Sequence, residues 1–277
     1  MALAQDATPA AGSYPTVEIT ARNYAFNIPA NIAGGWTQLT FHNEGPADHH
    51  AMFIKLNDGT TFDDLKKASE APDLGALFAL GVSIGGAPTI SAGQTASAIL
   101  NFDPGNYAVI CAIPDENGKP HYQMGMLNSV EVTTDTTELA QPQSDASVEL
   151  TEFMFTGLPA TVTTGAHTWE VKDTGRQLHE FVVYQIVAPG MTFDQVKGIL
   201  MASAATPTAS PAAESSPPAG GPPFIAVGGT GPMSPGYTNY AVLDLKAAEY
   251  FAICFVPDVA TGAPHFALGM MMGFTVS

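Results

Sequence analysis

The chain closes with the stretch "ICFVPDVATGAPHFALGM" (residues 253–270), and residues 110–126 read "ICAIPDENGKPHYQMGM". A cysteine, a proline followed by an aspartate, a Pro-His pair and a Gly-Met pair recur in the same order in both stretches. An ordered match of this kind along a whole loop indicates that the loop was duplicated together with the domain that carries it.

Further matches extend the repeat over most of the chain. "FHNEGPADHH" (41–50) matches "VKDTGRQLHE" (171–180), and "TFDDLKK" (61–67) matches "TFDQVKG" (192–198). The period is too long for a solenoid, so each copy is expected to fold around its own core.

The repeat and the composition between the copies predict the domain boundaries. We predict a flexible tail at 1–13, a first domain at 14–134, a polar linker at 135–146 and a second domain at 147–277. The Pro-, Ala- and Ser-rich segment 201–223 is predicted to be a surface loop within the second domain.

Most segments have the pattern of half-buried strands. "TVEITA" and "TQLTFHN" alternate apolar and polar residues and are rich in Val, Ile, Thr and aromatics. One short helix per copy is predicted where Thr61 precedes Asp64 and Thr192 precedes Gln195, since both pairs have the spacing of an N-terminal cap. The predicted fold class is all-β, with two tandem Greek-key β-sandwich domains, each carrying one short inserted helix.

The charge balance restricts the possible partners. The net charge is −17, with only 9 Lys and Arg among 277 residues, which leaves no basic surface for nucleic acid. A cation or a basic protein fits this charge better. No uninterrupted apolar run is long enough for a transmembrane segment, and the opening "MALAQDATPA" resembles the end of an export signal. We therefore expect an exported protein, in the periplasm, on the cell surface or outside the cell.

The repeat also selects among the potential metal ligands. Of the seven histidines, only two pairs fall in register between the copies, and both cysteines and one methionine per copy do the same. The residues kept in both copies are His49, Cys111, His121 and Met126 in the first and His179, Cys254, His265 and Met270 in the second.

These residue types favour copper over the alternatives. The two cysteines occupy equivalent interior positions in separate domains, which argues against a disulfide between them. Two imidazoles, a thiolate and a weak thioether suit copper in an electron-transfer site, whereas structural zinc usually has four strong ligands and no methionine. Buried, chemically inert cysteines remain the alternative to any metal.

With these ligands the chain resembles a tandem cupredoxin, of the plastocyanin and azurin type of blue copper protein. His49 and His179 match the family's first ligand, which follows a strand and an Asn-containing turn. The Cys, His and Met on the late loop of each domain match the other three. The resemblance implies a cupredoxin-like fold, one copper per domain cycling between Cu(I) and Cu(II), and electron exchange at a surface patch around His121 or His265.

The chain departs from the family in two places. Nine residues separate Cys111 from His121 and ten separate Cys254 from His265, which is a longer excursion than is usual in the family. His50 and Glu180 stand directly after the first ligand, where plastocyanin and azurin have Asn.

We predict an exported copper-binding electron-transfer protein that serves a redox partner, with a basic partner suited to its acidic surface. Multicopper oxidases resemble this architecture but add His-x-His pairs, which the chain lacks, so we predict that it is not an enzyme. Two other functions stay open: copper capture and delivery outside the cytoplasm, and a metal-free β-sandwich interaction module.

Overall fold

The computed structural model describes residues 14–71, 74–135, 137–204 and 222–277. The predicted tail at 1–13 and residues 205–221 of the predicted loop lie outside the described residues. The protein is built almost entirely of strands, as the alternating pattern predicts. In the described part of the chain, no helix combines the length and the apolar character that crossing a bilayer requires.

The first copy, here called the first lobe, has nine strands and two α-helices in its described part. In chain order these are β1 (Thr16–Arg22), β2 (Ala25–Asn27), β3 (Asn31–Ala33), β4 (Gly35–Asn43), β5 (His49–Leu56), α1 (Phe62–Ala68), α2 (Leu74–Phe78), β6 (Gly81–Ile90), β7 (Thr95–Phe102), β8 (Gly105–Ile110), a 3-10 helix (His121–Met124) and β9 (Leu127–Thr133).

The second copy, the second lobe, repeats this order, with one α-helix among its described residues. Its elements are β10 (Ala146–Thr151), β11 (Met154–Thr156), β12 (Thr161–Val162), β13 (Gly165–Asp173), β14 (His179–Ile186), α3 (Phe193–Ala204), β15 (Phe224–Met233), β16 (Thr238–Leu245), β17 (Ala248–Ile253), a 3-10 helix (His265–Leu268) and β18 (Met271–Val276).

The helices follow the predicted capping pattern, with two differences. The Thr61 side chain accepts from the Asp64 backbone N–H while the Asp64 carboxylate accepts from the Thr61 backbone N–H, and Thr192 and Gln195 exchange the same two contacts. The apolar run after α1 folds into a second helix, α2, which buries Leu77, so one helix per copy was too few for the first lobe. In the second lobe α3 continues through residues 201–204, which were expected to be loop.

Two large sheets pass through both lobes, which the sequence did not predict. The first sheet has eight strands in the order β11-β10-β13-β16-β7-β4-β1-β2, and the second has ten in the order β12-β18-β17-β14-β15-β6-β5-β8-β9-β3. The lobes therefore meet strand against strand, at β16–β7 in the first sheet and at β15–β6 in the second. Because the junction is made of backbone hydrogen bonds in both layers, the two lobes are joined along their sheets as well as through the linker.

Each lobe nevertheless buries its own core between the two layers, as expected. The first core includes Phe41, Phe53 and Val109, and the second includes Trp169, Phe181 and Tyr250, all almost fully buried. A small third cluster of Tyr14, Ile99 and Tyr240 lies at the junction of the lobes. The domain boundaries at 134 and 147 stay predictions.

The inner strands bend at glycines that have no room for a side chain. Gly229 in β15 has a φ of +124°, and a Cβ added there would lie 1.8 Å from the Phe181 carbonyl oxygen of the neighbouring strand. The pairing of β14 with β15 shifts register next to this point, between Val183 and Tyr184. Glycine is required here both by the backbone angle and by the approach of β14.

We expect Gly229→Ala to lower the free energy of unfolding by more than about 2 kcal/mol, because the methyl group adds a backbone clash to the strain of positive φ. Gly236→Ala is the matched control, since Gly236 has a φ of +89° and no atom within 4 Å of an added Cβ. The control is expected to cost about 1 kcal/mol. Denaturant unfolding of both variants checks this, and equal losses would contradict the assigned clash.

Candidate metal centre

The predicted ligands stand at the ends of strands that are neighbours in the second sheet. In the first lobe, His49 is the first residue of β5, Cys111 follows β8 directly and Met126 precedes β9. β5 pairs with β8 and β8 pairs with β9, so these ends share one edge of the lobe. β14, β17 and β18 repeat the arrangement in the second lobe.

The long excursion between cysteine and histidine folds back on itself. In the first lobe an isolated bridge pairs Pro114 with Pro120, and the His121 backbone N–H donates to the Ile113 carbonyl at 2.9 Å. The Asp115 carboxylate closes the tip by accepting backbone N–H groups from Asn117 and Lys119. The excursion is thus a small closed hairpin that returns the histidine to the cysteine despite its length.

The hairpin of the second lobe is closed in the same way. Pro257 pairs with Pro264, and the His265 backbone N–H donates to the Val256 carbonyl at 2.9 Å. The Asp258 carboxylate accepts from the backbone N–H and the hydroxyl of Thr261. This hairpin is one residue longer than that of the first lobe. The extra residue is accommodated at the tip of the hairpin, and the histidine keeps its position.

A single turn of 3-10 helix then leads from the histidine to the methionine. Gly125, at a φ of +108°, ends the turn, and the Met126 N–H donates to the His121 carbonyl at 3.1 Å. The Cys111 N–H donates to the Met126 carbonyl at 3.2 Å, and both side chains are fully buried. Met126 and Met270 are thus joined to the cysteines by backbone hydrogen bonds, and their role as copper ligands stays a prediction.

In the first lobe the side chains of three predicted ligands converge. His49 Nδ1 lies 3.1 Å from His121 Nδ1, and Cys111 Sγ lies 3.4 Å from His121 Nδ1 and 3.9 Å from His49 Nδ1. All three residues are buried, and their donor atoms lie within 4.8 Å of one another. Among the described residues, this is the one such group of three His, Cys, Asp or Glu donors.

Burial sets the protonation of this group. Desolvation, with a smaller repulsion from His121, lowers the pKa of His49 to about 4, and desolvation also lowers the pKa of His121 to about 4. The imidazoles are therefore neutral at pH 7 and have lone pairs to offer. Desolvation raises the pKa of the Cys111 thiol to about 12, so a cation must displace its proton for the sulfur to act as a thiolate ligand.

The second lobe brings together only part of the same set. Cys254 Sγ lies 3.4 Å from His265 Nδ1, and the rings of His179 and His265 are 4.8 Å apart. His179 Nδ1, however, lies 3.2 Å from both carboxylate oxygens of Asp173. The nitrogen that faces cysteine and histidine in the first lobe is thus turned to a carboxylate in the second.

Several residues around the two centres were not selected from the sequence. The Asn43 amide donates to the carbonyls of Ala47 and Ile90 and thereby shapes the turn before His49. The Tyr24 ring covers His121 at 5.0 Å, and the Phe153 ring covers His265 at 5.1 Å. The equivalence of Tyr24 and Phe153 in the repeat is the signal that could have found them.

His50 and Glu180 take up equivalent roles beside the cysteines. His50 Nε2 accepts from the Ala112 backbone N–H at 2.9 Å, and the Glu180 carboxylate accepts from the Phe255 backbone N–H at 2.9 Å. Each side chain therefore holds the backbone directly after the cysteine. Burial lowers the pKa of His50 to about 3 and raises the pKa of Glu180 to about 7.

The resemblance implied that the second histidine of each lobe lies at the surface, but the structure buries it. His121 is 1% exposed and His265 is fully buried. The covering ring of Tyr24 is 40% exposed, so in the first lobe the surface next to the histidine is an aromatic edge.

The donor set fits copper. Two neutral imidazole nitrogens and a sulfur that becomes a thiolate are ligands that copper accepts in both of its oxidation states. The Nε2 atoms of His49, His179 and His265 are buried and have no hydrogen-bond partner among the residues that the structure describes. The rings are therefore fixed by packing, with only their Nδ1 edges engaged.

Comparison with known proteins relates the chain to copper proteins. No family model matches it, and no curated protein matches it in sequence. Among solved structures, the reduced auracyanin of Roseiflexus castenholzii is 22% identical and covers 44% of this chain and 99% of its own, with a TM-score of 0.31. Auracyanin A of Chloroflexus aurantiacus is 19% identical over 43% of this chain and 98% of its own, with a TM-score of 0.30.

Other solved structures align along both lobes. The copper nitrite reductase of Nitrosomonas europaea is 11% identical over 95% of this chain and 93% of its own, with a TM-score of 0.26. These matches correct our prediction that the chain is not an enzyme, because the structures covering 95% of it include a multicopper oxidase and copper nitrite reductases, which are enzymes. The lack of a His-x-His pair was too narrow a criterion, since it tests for one kind of copper cluster only.

The buried histidines predict an acid-sensitive fold. Their folded pKa values of about 3–4 lie below the unfolded value of 6.5, so the unfolded chain binds more protons between these limits. We expect the metal-free protein to keep this stability above pH 6.5 and to lose it toward pH 4, by about 1.4 kcal/mol per pH unit for each fully titrating histidine.

Urea unfolding of the metal-free protein at a series of pH values measures this slope. His50→Gln is the informative variant, because it removes a buried histidine that is not a predicted ligand, and it is expected to flatten the slope. A slope identical to that of the parent chain would contradict the neutral, buried state of His50.

Each lobe thus buries its own core and places its predicted donor groups at strand ends in the second sheet. The donor set of the first lobe supports copper binding. The chain has a cupredoxin-like fold.

Proposed function

We propose that the chain is an electron-transfer protein that works outside the cytoplasm with one mononuclear, type 1-like copper site in each lobe. The ligands are His49, Cys111, His121 and Met126 in the first lobe and His179, Cys254, His265 and Met270 in the second. The observation that carries the proposal is the convergence of His49 Nδ1, Cys111 Sγ and His121 Nδ1 within 4.8 Å in a fully buried position.

The predicted ligands of the first lobe suit electron transfer because strands and backbone hydrogen bonds fix their positions. His49 starts a strand, Cys111 is fixed by backbone bonds to Met126 and Tyr122, and His121 is fixed by its bond to Ile113. Copper bound there would supply a one-electron couple between Cu(I) and Cu(II). A rigid, buried donor set keeps the reorganisation on electron transfer small, since ligands and water need not rearrange.

Access to the site is through the aromatic cover. Tyr24 lies against His121 and exposes its outer edge, whereas the histidine is shielded from water. A partner docking over Tyr24 approaches the ligand through one ring. In the second lobe Phe153 covers His265 in the same way, and Leu268 of the adjacent turn is 39% exposed.

Copper loading followed by oxidation is expected to give an intense visible absorption from thiolate-to-Cu(II) charge transfer, with up to two copper ions per chain. Cys111→Ser is expected to abolish the contribution of the first lobe, because oxygen does not replace the soft thiolate. Cys254→Ser is the matched control and retains that contribution. Protein that holds no copper after loading, or has no visible band, would sink the proposal.

The acidic surface supports a positively charged redox partner. With a net charge of −17, the chain attracts cations at long range, and salt screens that attraction. We expect the copper-loaded protein to exchange electrons with a small cationic complex such as hexaammineruthenium at a rate that falls as salt is added. With anionic ferrocyanide the rate is expected to rise, and stopped-flow measurements at several ionic strengths compare the two. Rates independent of salt with both reagents would refute electrostatic steering.

A further inference from the structure

Asp173 and Asn43 occupy equivalent positions in the two lobes. Each is the last residue of its strand, six positions before the first predicted ligand, and each is nearly fully buried. Oδ1 of Asn43 accepts the Gly45 N–H at 2.9 Å, and Oδ1 of Asp173 accepts the Gly175 N–H at 2.9 Å. The turn between strand and histidine is therefore built in the same way in both lobes.

Beyond this shared contact the two side chains act differently. The Asn43 amide nitrogen donates to two backbone carbonyls, at 2.8 Å and 2.9 Å, and so its polar atoms are satisfied by the backbone. A carboxylate has no hydrogen to donate. Asp173 instead faces His179 Nδ1 at 3.2 Å from each oxygen, with neither side chain exposed.

The histidine rings are turned accordingly. A Cβ added to Gly45 would lie 2.8 Å from Nε2 and 3.1 Å from Cδ2 of His49. At the equivalent Gly175 it would lie 2.6 Å from Cε1 and 3.1 Å from Nδ1 of His179. The two rings thus present opposite edges to the equivalent glycine, as after a half turn about the bond between Cβ and Cγ.

We infer that Asp173 is a positioning residue that competes with copper for His179 Nδ1, so that the second lobe binds copper more weakly than the first and fills after it. This inference rests on the proposed function. In the first lobe Nδ1 of His49 already faces Cys111 and His121. The nearby Asn43 side chain bonds to the backbone and not to this nitrogen. In the second lobe the ring must leave Asp173 before Nδ1 can reach the cysteine.

Leaving Asp173 is costly because the carboxylate is buried. Of its side-chain hydrogen bonds to the described residues, the one from the Gly175 N–H would then remain to stabilise it. A hydrogen bond to a charged buried group contributes enough to change a binding constant roughly ten- to hundredfold. The second lobe is expected to be weaker than the first by a factor of this order.

The contact between Asp173 and His179 also allows the opposite effect on metal binding, and the experiment distinguishes the two. A carboxylate that accepts from one ring nitrogen can orient the other nitrogen toward a metal. In that case Asp173 would strengthen metal binding through Nε2, and removing its charge would weaken the site. The orientation of the equivalent His49, whose Nδ1 faces the thiol, favours competition.

The test uses full-length chains with one site removed. Cys111→Ser leaves only the second site, and its Cu(I) affinity is measured by competition with a chromophoric Cu(I) chelator without oxygen. Adding Asp173→Asn, the residue of the first lobe, is expected to raise that affinity roughly ten- to hundredfold. After oxidation, the visible band of the second lobe is expected to develop at lower copper concentration in the Asn variant.

The reciprocal variant is the matched control. Cys254→Ser leaves only the first site, and adding Asn43→Asp is expected to lower its affinity by a similar factor. Thermal unfolding of each metal-free variant shows whether it is folded. A rise in affinity on Asp173→Asn is the deciding result, because Asn43→Asp also removes the two amide hydrogen bonds that shape the turn before His49. An unchanged or lower affinity on Asp173→Asn, or an unchanged or higher one on Asn43→Asp, would overturn the inference.

These outcomes are distinct from a failure of the proposed function. If the Cys254→Ser chain binds no copper at its intact first site, both the function and the inference are wrong. If the first site binds and the swap does not move the second site as stated, only the role of Asp173 is wrong.

Discussion

The candidate centre depends on backbone pairing at the end of β8. The Cys111 N–H donates to the Met126 carbonyl, which continues the ladder of β8 and β9 past the last residue of β8. The Cys111 carbonyl accepts from the Tyr122 N–H of the 3-10 helix, and the two bonds together fix the cysteine. The histidine is then placed by its own backbone bond to Ile113 and not by the length of the loop. This explains why nine or ten intervening residues are compatible with a compact donor group: extra residues go into the closed tip of the hairpin.

The second lobe shows how a duplicated site can diverge while its frame stays constant. The backbone bonds around Cys254 reproduce those around Cys111 almost to the tenth of an ångström. The two lobes differ in side chains that contact the predicted ligands or their neighbours, at Asp173 and Glu180. Substitutions at such positions change the partner of a histidine ring without disturbing the fold, because the strands and the turns between them are held by backbone hydrogen bonds.

Much of the fold could be predicted from the sequence, since it shows both the alternation of apolar and polar residues and the duplication of the domain. The all-β class and the cupredoxin-like fold are confirmed, and the register of the repeat selected His49, Cys111 and His121, which the structure brings together. The orientation of His179 could not be predicted, because it depends on Asp173, whose carboxylate faces the ring Nδ1 in addition to accepting the Gly175 backbone N–H. The joining of the sheets was also not predicted, because β7 and β16 pair through backbone groups, and the few apolar side chains at the junction, such as Ile99 and Tyr240, do not identify the partner strand. The second helix, α2, was missed because its apolar run is too short to distinguish a helix from a buried strand.

The continuous sheets also decide what the outer borders of the molecule look like. β7 and β6 of the first lobe pair with β16 and β15 of the second, so these long strands are not at the edge of a sheet. The outermost strands of the two sheets are β11, β2, β12 and β3. Each of these has only two or three residues. Each of these short border strands offers few free backbone groups to a neighbouring molecule, which is one way in which proteins limit the addition of a further strand at a sheet edge.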